Sequence, residues 1–524
     1  MTTYPSIFND VIGPVMRGPS SSHCAASLRI ARLCRDLMGG QIDSILIEFD
    51  PNGSLATTHK DQGSDMGLFG GFLGWDADDE RLPDSERHLA EAGISVDIAI
   101  VDIGARHPNT YKITLANRTE THRLTAISTG GGMIEVTEID GAAVSMAGDY
   151  FETLLYTSAP EAVLEVVKDR IPQEYAEVHI GEIQFVEIKS RELPGVQVLD
   201  ELLARPDVIF VRKLDPVLPV LARRELYVPF ETCEEMLAFN EGKELTLWEL
   251  AAEYESARGG ISRAKVFEKM RSIVRIMDNA IKLGLKGTEY SDRILGSQSL
   301  QLRQQLDSRA LIGGNANNAI IMYVSAMMEV KSSMGVIVAA PTAGSCGALP
   351  GAVFGVAHSL ELSEDEMVKA MLGAGIIGVF IASRATFAAE VGGCMAETGS
   401  GGGMAAAAIV EMAGGTLSQS IGAASLALQN SLGLICDPIG NRVEAPCLGR
   451  NVMAATNAVA CANMALSNYE HLIPLDEVID AMKEVGDRIH NTLRCTNLGG
   501  LSITKTAKKI GESLLEPETF FKSC

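Results

Sequence analysis

Apolar residues recur at helical spacing over residues 25–38 (Leu28, Ile30, Leu33, Leu37), and Gly39-Gly40 ends the run. The period then changes. Residues 42–49 alternate apolar with polar, as do 96–101, 110–115 and 133–139, and each stretch predicts a strand. Residues 1–150 therefore read as an α+β domain. Residues 151–225 predict a small βαββαβ domain, with strand 151–156, helix 160–171, a longer strand 177–188, helix 196–204 and a closing strand 208–214. From 226 to 524 the pattern turns helical. Stretches 233–240, 247–255 and 262–283 are amphipathic, and beyond Asn317 the chain is rich in Ala, Gly and Met, with breaks at Pro341, Gly344, Gly347, Pro350 and 399–403. No β-periodic set long enough for a sheet occurs there, so a mostly α-helical domain is expected. The most apolar run, 371–383, is about 13 residues long, short of the ~20 a membrane helix needs. It predicts a buried core helix, and the chain as a whole reads as multidomain.

Composition changes this picture little. The 524 residues suffice for two to four domains. Hydrophobic residues make up 46% but aromatics only 5%, beside 51 Gly and 21 Met, which favours closely packed helices over an aromatic β core. Charge is more decisive. A net −23, from 44 basic against 67 acidic residues, argues against a nucleic-acid or anionic-membrane partner, since either needs a basic face. Ten cysteines without a paired framework suit a reducing cytosol. The start, Met1-Thr2-Thr3-Tyr4-Pro5, has neither a basic nor an apolar leader region, so no signal peptide is expected and a cytoplasmic location is.

Three cysteines carry the chemistry. Cys394 ends Glu390-Val391-Gly392-Gly393-Cys394, Cys436 opens Cys436-Asp437-Pro438-Ile439-Gly440, and Cys447 ends Ala445-Pro446-Cys447; they stand 42 and 11 residues apart. Each thiol lies beside Gly or Pro, which set tight turns and let backbone approach a bulky inorganic group. A single such cysteine is more often a buried core thiol, but three at Gly/Pro turns weaken that reading. Zinc fits poorly, because structural zinc usually shows a Cys-x₂₋₄-Cys pair and this chain has none. Three thiolates can hold three irons of a [4Fe–4S] cluster and leave the fourth open. Near the other end, Ser20-Ser21-Ser22 fits the N-cap of the helix that follows, where backbone amides can meet an anion such as a substrate carboxylate.

At these residues the chain resembles the iron–sulfur L-serine dehydratases, which are L-serine ammonia-lyases that do not use pyridoxal phosphate. The likeness runs through Gly18-Pro19-Ser20-Ser21-Ser22-His23, Gly53-Ser54-Leu55-Ala56, His107-Pro108-Asn109-Thr110, Gly130-Gly131-Gly132, Ala340-Pro341-Thr342-Ala343-Gly344-Ser345, the three cysteines and Gly449-Arg450-Asn451. The resemblance implies a single chain with a fused N-terminal (beta-type) part, a ferredoxin-like, ACT-like middle domain of the ligand-sensing kind, and a C-terminal (alpha-type) catalytic domain. It also implies a [4Fe–4S] cluster on Cys394, Cys436 and Cys447, with the terminal Cys524 reaching back to cap the open iron. The substrate would be a small amino acid, held by Ser20, Ser21, Ser22, His107, Asn109, Gly130, Gly131, Pro341, Thr342, Ala343 and Gly344. A homodimer is the expected assembly.

Two departures qualify the substrate. Cys24 follows Ser-His where the family tends to carry Thr, and Asp61-Gln62-Gly63-Ser64-Asp65 stands where it carries Gly-His-Gly-Thr-Asp. With glutamine at 62, the proton acceptor is sought elsewhere. His23 is the first candidate, since its pKa lies near working pH, and His59 the second. The expected reaction removes the α-proton and the β-hydroxyl of L-serine and ends in pyruvate and ammonia, the open iron acting as Lewis acid on the hydroxyl. Alternatives remain: the same chemistry on another 3-hydroxy acid or on cysteine, a pyridoxal-phosphate enzyme using Gly399-Ser400-Gly401-Gly402-Gly403, or an amino-acid-binding iron–sulfur sensor. Cys346, Cys461 and Cys495 read as core thiols.

Overall fold

The computed structural model describes residues 4–290, 293–308, 311–312 and 314–515. The first 146 residues contribute a six-stranded sheet. Its strand order is Ser95–Ile100, Ser44–Phe49, Thr110–Ala116, Thr121–Gly130, Met133–Ile139, Ala142–Met146, antiparallel except for the parallel first pair. Alternation placed four of these strands. The strand Thr121–Gly130 escapes it, because its inward face is His122, Leu124, Ala126, Ser128 and Gly130, mostly small or polar. The helices Ala26–Leu37 and Ser64–Phe72 lie against the sheet. They meet at glycine: a Cβ on Gly67 would stand 2.1 Å from the carbonyl oxygen of Cys24. This contact sets the Ser20–His23 turn beside residues 58–65.

The second sheet has four antiparallel strands in the order Val208–Leu214, Phe151–Thr157, Phe185–Ser190, Tyr175–His179, with helices Pro160–Arg170 and Val196–Leu203 packed on it. In chain order this is βαββαβ. The single long strand expected over 177–188 is two strands instead. Between them Gly181 abuts the Asp140–Gly141–Ala142 turn, so closely that a Cβ there would meet the Ala142 nitrogen at 2.5 Å, and the chain must turn.

The remainder is helical among the described residues, apart from the two-residue strand Ile337–Val338, which pairs with Val15–Met16. The helices Cys233–Asn240, Leu247–Gly259 and Arg263–Gly284 form where amphipathic spacing predicts them. At the centre lies Glu364–Arg384, flanked by Leu247–Gly259, Arg263–Gly284 and Ser400–Met412. At 21 residues and a mean hydropathy of 1.6 it is the one described helix long and apolar enough to cross a membrane, yet 72% of its apolar window is buried inside the protein. It is a core helix. The N-terminal turn Ile7–Val11 docks on it, with Ile7 against Gly375 and Val11 against Gly378. Residues from both ends of the chain thus share one core.

Because Gly67 faces the Cys24 carbonyl as well as the Ser27 hydroxyl, Gly67→Ala forces the two segments apart. The expected loss is about 1–3 kcal/mol, read as a lowered midpoint in denaturant unfolding. An unchanged midpoint would show that the helices separate freely.

Candidate active site

Two turns wound wider than an α-helix carry the central groups. In Ser21–Ala25 and Met395–Gly399 the hydrogen bonds close over five residues, a local distortion that re-aims side chains and recurs at functional sites. The first turn holds His23 and the second Glu397.

Ser20 stands in the extended conformation of an N-cap, but its hydroxyl does not cap the helix. It lies 3.0 Å from His23 Nδ1 and 3.1 Å from Ser22 Oγ. Ser21 Oγ accepts the Ala343 N–H (3.2 Å), and Ser22 Oγ donates to Glu390 Oε1 (2.7 Å). The expected backbone anion hole is therefore a cluster of hydroxyls joined to the helical part. Thr58 Oγ1 donates to the Ser54 carbonyl at 2.7 Å, so its contact with His23 Nε2 at 2.8 Å places the imidazole proton on Nε2. Nδ1 is left as an acceptor facing Ser20, with Ser22 at 3.1 Å and Glu390 Oε1 at 3.4 Å. Full burial pushes His23 below its ordinary pKa, against a smaller upward pull from Glu390. His23 is thus an uncharged imidazole at pH 7.

The other expected residues converge unequally. Gly130 and Gly131 both have positive φ, a conformation that suits glycine, and bring the sheet end against Ala388 and the Pro341 carbonyl. Thr342 Oγ1 donates to Glu397 Oε1 (2.7 Å), and Gly344 leaves room for the same carboxyl, which a Cβ would meet at 2.9 Å. Asn109 is fully buried, and neither its amide nitrogen nor its oxygen has a partner. Such a group requires a hydrogen-bonding companion. His107 accepts the Asn109 N–H at 3.2 Å and holds that turn. His59 is held by Asp65 at 2.7 Å, near a cleft of about 500 Å³ lined by Pro19, Lys60, Asp65 and Arg442.

Cys394 Sγ, Cys436 Sγ and a Glu397 carboxylate oxygen lie within 4.8 Å of one another, a group that could hold a metal ion. Cys447 is buried at the start of the helix Cys447–Leu466 and stands outside that close group. A hydrogen bond from the Cys436 thiol, aided by Arg450, brings Cys394 down to about 7. Arg450 donates to Cys394 Sγ (3.4 Å) and to Asp437 Oδ1 (2.5 Å). Burial, then the neighbouring Cys394 and Glu390, hold Glu397 well above the carboxylate range. Asn451 serves backbone alone, bridging the Gly344 and Cys447 carbonyls at 2.9 Å each.

Cys346 and Cys461 are buried core thiols, as expected. Cys495 is buried too, in a small hydrophobic cluster with Ala389, Cys394 and Cys436. Cys524 lies outside the described residues. Sequence reasoning missed Glu390, Glu397 and Thr58. The first stands inside the quoted Glu390-Val391-Gly392-Gly393-Cys394 string and the second one helical turn after Cys394, which was the available signal.

The family model described as serine dehydratase alpha chain matches residues 242–502. The probable L-serine dehydratase alpha chain of Bacillus subtilis (strain 168) is 36% identical over 285 residues, 54% of this chain and 95% of that one. The L-serine dehydratase alpha chain of Peptoniphilus asaccharolyticus is 35% identical over 287 residues, 54% and 98% of the two chains. The probable beta chain from the same Bacillus subtilis strain is 35% identical over 219 residues, 40% of this chain and 98% of that one. Because relatives matched almost end to end include both an alpha and a beta chain, this chain belongs to the L-serine dehydratase family, with the two parts joined in one polypeptide.

Proposed function

We propose that the protein converts L-serine to pyruvate and ammonia. The observation that carries this reading is the meeting of a metal-competent Cys394–Glu397–Cys436 group with the His23–Glu390 pair in one buried site. The donor set suits a [4Fe–4S] cluster on Cys394, Cys436 and Cys447. A single zinc ion would draw its sulfurs to roughly 3.8 Å from each other, whereas Cys447 stands outside the 4.8 Å group and a cluster spreads its ligands. When bound, the cluster supplies a Lewis acid for the departing β-hydroxyl.

The chain's own residues do the rest. The Ser20–Ser22 hydroxyls and the orphaned Asn109 amide hold the amino acid, beside Thr342 and Gly344. His23 takes the α-proton at Nδ1, the ring atom that Ser20 touches. The resulting imidazolium keeps its Nε2–H on Thr58 and gains a charge partner in Glu390. The Cα–H electron pair forms the double bond as the β-hydroxyl leaves, and the enamine product tautomerises and hydrolyses. Burial excludes water from this step. Residues 1–150, 151–225 and 226–524 act as the three domains of a cytoplasmic homodimer, the middle one being an ACT-like unit whose strand order fits a ligand sensor. A second reading, the same elimination from another 3-hydroxy acid or from cysteine, is favoured by Gln62, whose amide is engaged by Asn441 and Cys495 and cannot accept a proton.

The deciding experiment purifies the protein without oxygen, measures iron and sulfide, and follows pyruvate from L-serine. Pyruvate release that Cys436→Ala abolishes is expected; a loaded cluster with no pyruvate from serine, but product from another 3-hydroxy acid, selects the second reading. Asn109→Ala removes a ligand partner without breaking a protein hydrogen bond, so KM should rise about tenfold, the worth of one such bond. No change in KM would remove Asn109 from the site. The base form of His23 is the neutral one, so kcat/KM falls as pH drops through a pKa below the usual 6.5. Glu390 pulls that value up, so Glu390→Gln should move the acid limb to still lower pH; a limb that stays put excludes His23 as the base.

A further inference from the structure

Charged side chains, and not hydrocarbon alone, hold the second sheet to the first. Strand Ala142–Met146 is an outer edge of the six-stranded sheet, and an edge strand presents carbonyls with no ladder partner. Two of them are taken by the second sheet. His179 Nδ1 lies 2.8 Å from the Ala143 carbonyl, and Lys189 Nζ 2.5 Å from the Ser145 carbonyl. Both side chains also meet acids: Glu187 Oε2 is 2.8 Å from His179 Nε2, and Glu152 Oε1 is 3.6 Å from Lys189 Nζ.

This geometry demands a proton. A carbonyl oxygen only accepts, so His179 Nδ1 carries hydrogen. Nε2, so close to a carboxylate oxygen, would set lone pair against lone pair unless a second proton lies between them. Acids outnumber bases around it. Glu152 is 1% exposed with no hydrogen-bond partner for either oxygen, and Glu187 Oε1 lacks one too. Lys189 serves both, at 3.5 Å from Glu187 and 3.6 Å from Glu152. Glu177, on the strand of His179, and Asp149, which Arg258 partly offsets, add negative charge. Strand Ala142–Met146 has no charged side chain. Its neighbour Met133–Ile139 brings Glu138, opposite Ala143, and Glu135, which accepts the Ser145 hydroxyl at 3.1 Å. Burial works against the imidazolium, but the bond and charge of Glu187 outweigh it and raise His179 above its ordinary 6.5. Burial, then Glu187, holds Glu152 well above the carboxylate range. Each group binds its proton more tightly folded than unfolded, so both act in one direction. The His179 contribution is complete below pH 6.5 and is lost as pH rises through the raised value.

We propose that this seam is a proton-operated latch: the proton shared by His179 and Glu187 keeps strand Ala142–Met146 clasped to the second sheet, and its loss frees that edge. The strand beside it, Met133–Ile139, issues directly from Gly132, so the freed edge adjoins the Gly130–Gly132 wall of the site. The latch holds whichever substrate that site takes.

The test follows amide hydrogen exchange by mass spectrometry in the full chain at about pH 6 and about pH 9, corrected for the intrinsic rate. Peptides covering 142–146 and 175–190 report on the latch, and 110–116 is the control strand. Wild-type protection of 142–146 should fall about tenfold or more between the two pH values, while that of 110–116 stays constant. Glu187→Gln gives a neutral His179 Nε2 an amide N–H to accept, so its 142–146 segment should stay protected at both. His179→Ala should be open at both. Equal wild-type protection at the two pH values, a parallel loss in 110–116, or a Glu187→Gln chain that opens with pH as the wild type does overturns the latch. Should Glu187→Gln fail to fold, His179→Gln, which also removes the titrating ring, must abolish the pH dependence; its persistence overturns the latch as well.

Discussion

A buried carboxylate joins the two parts of the site. Glu390 accepts the Ser22 hydroxyl across 368 residues of chain and stands 3.4 Å from His23. A carboxylate taken out of water is costly unless polar partners replace its hydration. Those partners come from the N-terminal turn, so the helical part can bury Glu390 only when that turn is seated. The Gly130 and Gly131 backbone against Ala388 and Pro341 has the same logic in shape rather than charge: with no side chain in the way, the sheet end can close on the helical part. Assembly of the site and completion of the core are one event.

The cysteine side shows how packing tunes reactivity. Burial alone pushes thiols such as Cys24 up to about 12, which makes them inert. Cys394 is equally buried, yet a neighbouring thiol and the Arg450 guanidinium bring it down to about 7. Arg450 is in turn fixed by Asp437, whose other oxygen takes the Leu501 N–H at 2.7 Å. The charge that favours thiolate is therefore held in place by a backbone contact from near the end of the described chain.

Much of this was legible in the sequence. Period separated the sheet-bearing first part from the helical second part, and Gly and Pro beside the thiols pointed to Cys394 and Cys436, two members of a group that could hold a metal ion. What escaped had physical causes. Thr121–Gly130 shows only a weak apolar face because three of its five inward residues are His122, Ser128 and Gly130, the first held by Asp140 at 2.7 Å. Gly181 breaks the expected 177–188 strand through a contact with a distant turn, which local propensity cannot register. Glu390 and Glu397 are two acids among 67 with no local mark of burial. That the buried Cys495 lies against Cys436 and Gln62 also escaped, since both are remote in sequence. The serine run was read correctly as a helix start, but its hydroxyls turn to His23 and Glu390 instead of the helix.

The docking of Ile7–Val11 on the helix Glu364–Arg384 has a consequence for biosynthesis. The turn leaves the ribosome ahead of its receiving helix, which begins some 350 residues later; at 5–20 residues per second that is a wait of roughly 20–70 s. Throughout that interval the side chains of Ile7 and Val11 lack the helix they pack on, although the first sheet can already have formed behind them. The nascent chain therefore carries a small apolar hook, available to chaperones or to neighbouring chains, until the helix Glu364–Arg384 arrives to cover it.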